Sequence, residues 1–216
     1  MKRAPLVLVT AGPTRERIDP VRFVSNYSTG TFGYAIAKEA RDRGCKVILI
    51  SGPVSIKPPA GVKLINVESA IDMLHAVKTC AAKADYIFMS AAVSDWRVRR
   101  VSKCKIKRGN KLKTRTLELT ENPDILRSIK KPKGCVLTGF ALETEGLNKN
   151  AMLKLMAKRM DMIVSNKLTK QNRLFGDSPL DIIIIDTYNN KYIYKNMDKK
   201  RLAKIILDKA FGFNIK

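Results

Sequence analysis

The residues best suited to chemistry lie in one run, 10–40, TAGPTRERIDPVRFVSNYSTGTFGYAIAKEA, where Ser28, Thr29, Gly30 and Gly33 precede or open a helical pattern. Glycines at such a place let backbone N–H groups approach an oxyanion, and the helix start adds its partial positive charge. The run is a phosphate cradle in outline. It carries neither G-x-G-x-x-G nor G-x-x-x-x-G-K-[ST], so the same residues also suit an ordinary Ser/Thr cap with a close helix–sheet contact. Asn26, a neutral donor in the loop before the helix, is placed to bond a carbonyl or phosphate; a turn-favouring Asn is the plain alternative. Arg22, four residues earlier, suits bidentate pairing with a phosphate or an ordinary surface position. Lys154 and Lys158 share one helical face, and like charges so spaced repel unless solvated or matched by an anion.

The elements that position these groups follow from the apolar pattern. Residues 6–10, 46–50 (KVILI), 63–67 and 86–90 (YIFMS) read as short strands, and 34–43 and 70–83 as helices between them. Continuously apolar runs such as KVILI suit parallel strands covered on both faces. Residues 97–115 hold ten basic and no acidic residues with little hydrophobic periodicity, so they cannot bury a core face and read as an extended, mobile basic flap, closed by a strand at 117–119. Beyond it come a short helix after Asn122-Pro123-Asp124, a strand at 135–140, a helix at 148–159 and a strand at 162–164. A strand pair at 181–186 and 191–194 and a last helix at 198–210 follow. The expectation is one α/β domain over residues 1–216: a Rossmann-like three-layer fold, mostly parallel, with helices on both faces. Ligands gather at the carboxyl ends of such strands, where Asp95 falls.

With 42 Lys+Arg against 19 Asp+Glu the net charge is +23, so partners are expected to be anionic, although a Lys-rich background would give the same balance. His75 is the single histidine, which all but excludes a His-ligated zinc centre or a Ser/His or Cys/His pair; in its helical pattern it reads as an ordinary partly buried histidine. Cys45, Cys80, Cys104 and Cys135 have no C-x-x-C spacing, and the apolar run in MKRAPLVLVT is too short for a secretion signal or membrane helix. A reduced, cytoplasmic protein without membrane attachment is expected.

The run at 10–40 is similar to the signature of the phosphopantothenate–cysteine ligases (phosphopantothenoylcysteine synthetases), often the second half of a bifunctional coenzyme A biosynthesis flavoprotein. The resemblance extends to MSAAVSDWRV, KIKR, LELTENPDIL, TGFALETE and the helix carrying Lys154 and Lys158 before MDMIVSN, over roughly residues 5–195. It implies a free-standing synthetase without flavin, using CTP with Mg²⁺ carried on the triphosphate, and working as a homodimer; the strand pair near 182–194 is a candidate contributor to that assembly, which the sequence leaves open. It implies catalytic roles for Asn26, Arg22 and the flap lysine Lys105, and a nucleotide site opened by Gly12, Ser28, Gly30 and Gly33. Met89, Ser90, Ala91 and Asp95 line that site by the same resemblance, as do Pro123, Asp124, Ile125 and Leu126, the aromatic Phe140, and Lys105, Lys154 and Lys158. For Met89, Ala91 and Phe140 core packing is the competing reading. The chain departs from the family at Leu142, where alanine is common, and at Lys167, where aspartate often follows the retained Asn166.

The chemistry this implies needs no histidine. Joining a carboxylate to the amine of cysteine is uphill until a nucleoside triphosphate converts the carboxylate to an acyl-nucleotide, and positioning and charge stabilisation then dominate. A mobile cation such as Lys105 suits a step that begins once substrate is bound. Two rivals rank behind this reading. An NAD(P) oxidoreductase would want the glycine fingerprint and an acidic residue after the second strand, which ends instead at Ser51-Gly52. A nucleic-acid-binding module would explain the charge, yet residues 97–115 lack the interleaved aromatics of a stacking platform.

Overall fold

Alternation along β1 (Leu6–Ala11) sends Val7, Val9 and Ala11 into one core and Leu8 into another, and all four are fully buried. A strand buried on both faces needs a helical layer on each. We describe the chain as a computed structural model covering residues 3–108, 114–143, 147–167 and 178–213. After β1 come β2 (Arg15–Arg17), β3 (Phe23–Ser25), α1 (Thr31–Asp42), β4 (Lys46–Ser51), β5 (Lys63–Asn66), α2 (Ala70–Ala81), β6 (Tyr86–Met89), β7 (Trp96–Val98) and β8 (Leu119–Glu121). Then follow α3 (Ile125–Ser128), β9 (Val136–Glu143), α4 (Leu147–Ala157), β10 (Met162–Lys167), β11 (Leu180–Asp186), β12 (Lys191–Met197) and α5 (Lys199–Phe211).

The central sheet has eight strands in the order β12-β11-β10-β9-β6-β1-β4-β5. From β5 to β10 neighbours run parallel; β11 and β12 are added antiparallel. The mostly parallel Rossmann-like sheet is therefore as expected. Helices α1 and α5 cover one face through Ile36, Ala40, Leu202 and Ile206; α2, α3 and α4 cover the other through Met73, Val77, Ile125 and Leu155. Truncating a fully buried Ile36 or Leu155 to alanine would cost about 2–5 kcal/mol. The chain runs from β1 to β4 on one side, then crosses back through α2 to β6 on the other. Connections leaving the ends of β1 and β6 in opposite directions open a crevice between them.

Two short hairpins depart from the sequence reading. β2 pairs antiparallel with β3 in the loop before the first helix, because Glu16 points inward, is buried, and accepts the Ala70 N–H at 2.9 Å. A charged residue at an inward position defeats the alternation rule. β7 pairs antiparallel with β8 and frames the base of the basic flap, so Arg97 and Val98 belong to a strand, and the strand expected at 117–119 lies two residues later. The flap's residues 109–113 lie outside the described ones, as does the side chain of Lys167. His75 is exposed on α2 rather than partly buried. Among the described residues no helix is long and apolar enough to cross a membrane.

Candidate active site

The start of α1 is shaped by glycine. Gly30, its N-cap, sits at φ 75°, and a Cβ there would come within 2.9 Å of Val54 Cγ1 and 3.2 Å of the Gly12 nitrogen. Gly12, itself at φ 73°, lies directly beneath, so the two glycines pack backbone on backbone. At Gly33 a Cβ would meet the Ala11 methyl at 2.6 Å and Ser90 Oγ at 2.7 Å, so α1 presses against the sheet ends more closely than any side chain allows. The helix end is left open. Gly30 offers no side-chain cap, and the first turn holds no acid. Instead the Lys199 ammonium, buried at the start of α5, donates to Thr31 Oγ1 at 2.8 Å. This end combines a helix start that no side chain caps with a nearby cation, an arrangement that suits an anion.

Opposite α1, the segment after β6 is fixed by the end of β1. Ser90 Oγ donates to the Thr10 carbonyl at 3.0 Å, the Ala91 N–H to Thr10 Oγ1 at 3.2 Å, and the Ala92 N–H to the Gly12 carbonyl at 2.9 Å. The amide of Asn26 donates to the Ala92 carbonyl at 3.0 Å, which draws the loop before α1 onto this segment. Between them lies a cleft of about 580 Å³. Phe140, Leu142, Lys154 and Asn166 close its far side, and Asp95 is the one carboxylate on its described lining. Phe140 meets Phe32 edge-to-face, ring centres 5.5 Å apart, forming an apolar wall.

Of the residues singled out in the sequence, Asn26, Ser28, Gly30, Gly33, Ser90, Ala91, Asp95, Phe140 and Lys154 share this cleft. Gly12 supports it from below. Met89 points into the core on the α2 side of the sheet, and Ile125 and Leu126 pack there too. Asp124 caps α3 by accepting the Arg127 N–H at 3.2 Å and lies 3.5 Å from the Lys158 ammonium, which ties Lys158 to this turn rather than to the cleft. Pro123 is likewise off the lining. Lys105 is exposed on the flap. Arg22 is engaged elsewhere, by Asp19 and by the Ile106 carbonyl at 2.9 Å. Lys199 and Thr31 were missed in the sequence. A lysine opening α5 just after its Asp198 cap opposes the helix dipole, and that conflict was the available signal.

Residues 3–213 match the family of DNA/pantothenate metabolism flavoprotein C-terminal domains. The chain belongs to this family. One relative, the coenzyme A biosynthesis bifunctional protein CoaBC of Bacillus subtilis (strain 168), is 45% identical over 172 residues, 79% of this chain and 42% of that protein. The chain thus spans less than half the length of such curated relatives. The crystal structure of the C-terminal domain of a CoaBC superposes with a TM-score of 0.80 at 35% identity, covering 96% of this chain and 94% of that one. A Cab2 mutant in complex with phosphopantothenate-cysteine has the same fold, with a TM-score of 0.77 at 18% identity over 96% of this chain and 86% of that one.

Proposed function

We propose that the chain joins 4'-phosphopantothenate to L-cysteine in coenzyme A biosynthesis, activating the carboxylate with CTP. A carboxylate oxygen bonds the α-phosphorus and pyrophosphate leaves; the cysteine amine then attacks the acyl carbon, CMP leaves, and the amine sheds a proton. The observation that carries this reading is the uncapped, glycine-lined start of α1, which faces Asn26, Asp95 and Lys154 across a cleft at the sheet's crossover point. CoaBC relatives support it.

In this reading the α1 end and Lys154 offset the triphosphate's charge, and the Asn26 amide donates to the activated carbonyl or α-phosphate. Phe140 and Phe32 give the base an apolar wall. Met89, the 123–126 turn and Lys158 brace the pocket from behind. Lys105 brings its ammonium to the acyl-cytidylate for condensation. Among the described residues no cluster of three His, Cys, Asp or Glu is arranged to hold a metal. That donor set suits Mg²⁺ held by triphosphate oxygens and its own waters, with Asp95 the carboxylate at hand. The four cysteines are unpaired, in keeping with a cytoplasmic setting. Apolar residues exposed on the two hairpins, Phe23, Val24, Trp96 and Leu119, suit homodimerisation, which a light-scattering mass would test.

Pyrophosphate release with phosphopantothenate and either CTP or ATP, with and without cysteine, tests the reading. The expected result is release with CTP and phosphopantothenate, and ligated product only when cysteine is added. Absence of release with both nucleotides would end it. Lys105→Gln is expected to let the acyl-cytidylate accumulate, detected by mass spectrometry of quenched reactions, because condensation slows more than activation. Equal loss of both half-reactions would remove Lys105 from the second.

A further inference from the structure

Off the cleft lining, one buried carboxylate is used in full. The Asp19 side chain has no solvent exposure, and its Oδ1 accepts the backbone N–H groups of Val21 and Arg22, each at 2.9 Å. Oδ2 accepts from the Arg22 guanidinium, through Nε at 3.1 Å and through Nη2, and from the backbone N–H of Ile106 at 3.0 Å. Nη2 of Arg22 also donates to the Ile106 carbonyl at 2.9 Å. One ion pair therefore holds both backbone polar groups of a residue 87 positions from Asp19. A second tie lies close by, where the Ser102 N–H donates to the Ile18 carbonyl at 3.0 Å.

The segment so held has little else to fix it. Lys103, Cys104, Lys105, Lys107 and Arg108 are all exposed, and four like charges in six residues repel one another rather than compact the segment. Ile106 directly follows Lys105, so the grip is one peptide unit from the flap lysine. The Arg22 guanidinium and the Ile106 N–H hold the Asp19 carboxyl well below the usual carboxylate range, which keeps the pair charged throughout the neutral range.

We propose that Asp19 is a positioning residue for the condensation step: through the backbone of Ile106 it fixes the flap, so that Lys105 meets the acyl-cytidylate in one geometry. This rests on the ligase reading above. The carboxylate touches no reacting atom; it acts through the flap. A catalytic group misplaced by about 1 Å can lose about 100-fold in rate, so a clamp one residue away matters.

Asp19→Asn separates the two ends of the clamp. An asparagine oxygen can still accept from Val21 and Arg22, which turns its NH₂ toward the Ile106 N–H and the guanidinium, donor against donor. Three readouts follow. Hydrogen exchange across residues 102–108 is expected to rise at least about tenfold in the variant. Pyrophosphate release without cysteine is expected to stay within about threefold of wild type, while single-turnover consumption of acyl-cytidylate by cysteine slows at least about tenfold. The double variant with Lys105→Gln is expected to be no slower in condensation than Lys105→Gln alone, since both act on one group. Unchanged exchange, equal slowing of both half-reactions, or multiplied losses in the double variant would each overturn the proposal. Should Asp19→Asn fail to fold, Asp19→Ser serves, because its hydroxyl oxygen can still accept from the Val21 or Arg22 N–H while the Ile106 N–H loses its acceptor. It must loosen residues 102–108 and slow condensation selectively, and failure in either respect overturns the clamp. If the wild-type protein forms no acyl-cytidylate, the ligase reading falls, whereas the exchange experiment still decides whether Asp19 holds the flap.

Discussion

Helices α1 and α2 both pack against the parallel sheet, yet their starts are treated in opposite ways. At α2 three donors are taken by side chains: Ser69 Oγ accepts the Asp72 N–H at 3.1 Å, Asp72 accepts the Ser69 N–H at 2.9 Å, and Glu16 accepts the Ala70 N–H at 2.9 Å. At α1 the cap is a glycine at positive φ, no acid lies in the first turn, and a lysine from α5 stands nearby. A reciprocal capping box satisfies a helix end internally; a glycine start leaves it to whatever binds. The difference makes α1, rather than α2, the end suited to an anion, independently of any family resemblance.

The largest expected effect breaks the open end's neutral partner. Asn26→Asp sets a carboxylate against the Ala92 carbonyl and removes a donor from the cleft. Turnover should fall about 100- to 1,000-fold, the usual loss for one oxyanion donor, while loss of the exposed bond to Ala92 should cost only about 1 kcal/mol of stability and leave the fold intact. Wild-type steady-state rates would remove Asn26 from the mechanism. Next, Gly30→Asp gives α1 the acid that α2 already has. The backbone at φ 75° costs about 1–2 kcal/mol with any side chain, and the new charge should weaken CTP at least about tenfold by calorimetry. Unaltered affinity would mean the phosphates bind elsewhere. Gly33→Ala tests packing: its methyl would sit 2.6 Å from the Ala11 methyl, and overpacking of that kind lowers stability by about 1–3 kcal/mol in denaturant titration.

This contrast also sorts what the sequence could and could not reveal. Apolar runs such as VLVT and VILI specify strands buried on both faces, and the glycines near residue 30 specify a close, open helix start, because both signals are local. Side-chain direction is less accessible. Met89 and Ser90 are neighbours in sequence, but successive residues of a strand face opposite ways, so Ser90 reaches the cleft while Met89 enters the far core. Short charged strands such as β2 carry no apolar alternation, and the inward turn of Glu16 depends on a helix end 54 residues on. Arg22 suits phosphate pairing by residue type alone, whereas its contact to the flap backbone, 84 positions on, is one that chain spacing cannot supply.

The smallest effect completes the comparison at the closed end. Asp72→Asn removes the charge from the α2 capping box and should leave CTP affinity and turnover untouched, because α2 starts away from the cleft lining. The N–H of Ser69 holds the Asp72 carboxyl below its ordinary value, with the Ser69 hydroxyl adding to the effect, so its contribution to stability is fully present above the unfolded pKa of about 3.9. That contribution fades as pH falls through the lower folded value, and the gap between wild type and variant should therefore be largest near neutrality and shrink below about pH 4. Because Asp72 is exposed and screened, the gap at pH 7 should be about 0.3–1 kcal/mol by urea titration. A gap that widened in acid would reverse the sign of the linkage. A loss of CTP affinity would show that the two helix ends are coupled, and the division between scaffold and binding end would no longer hold.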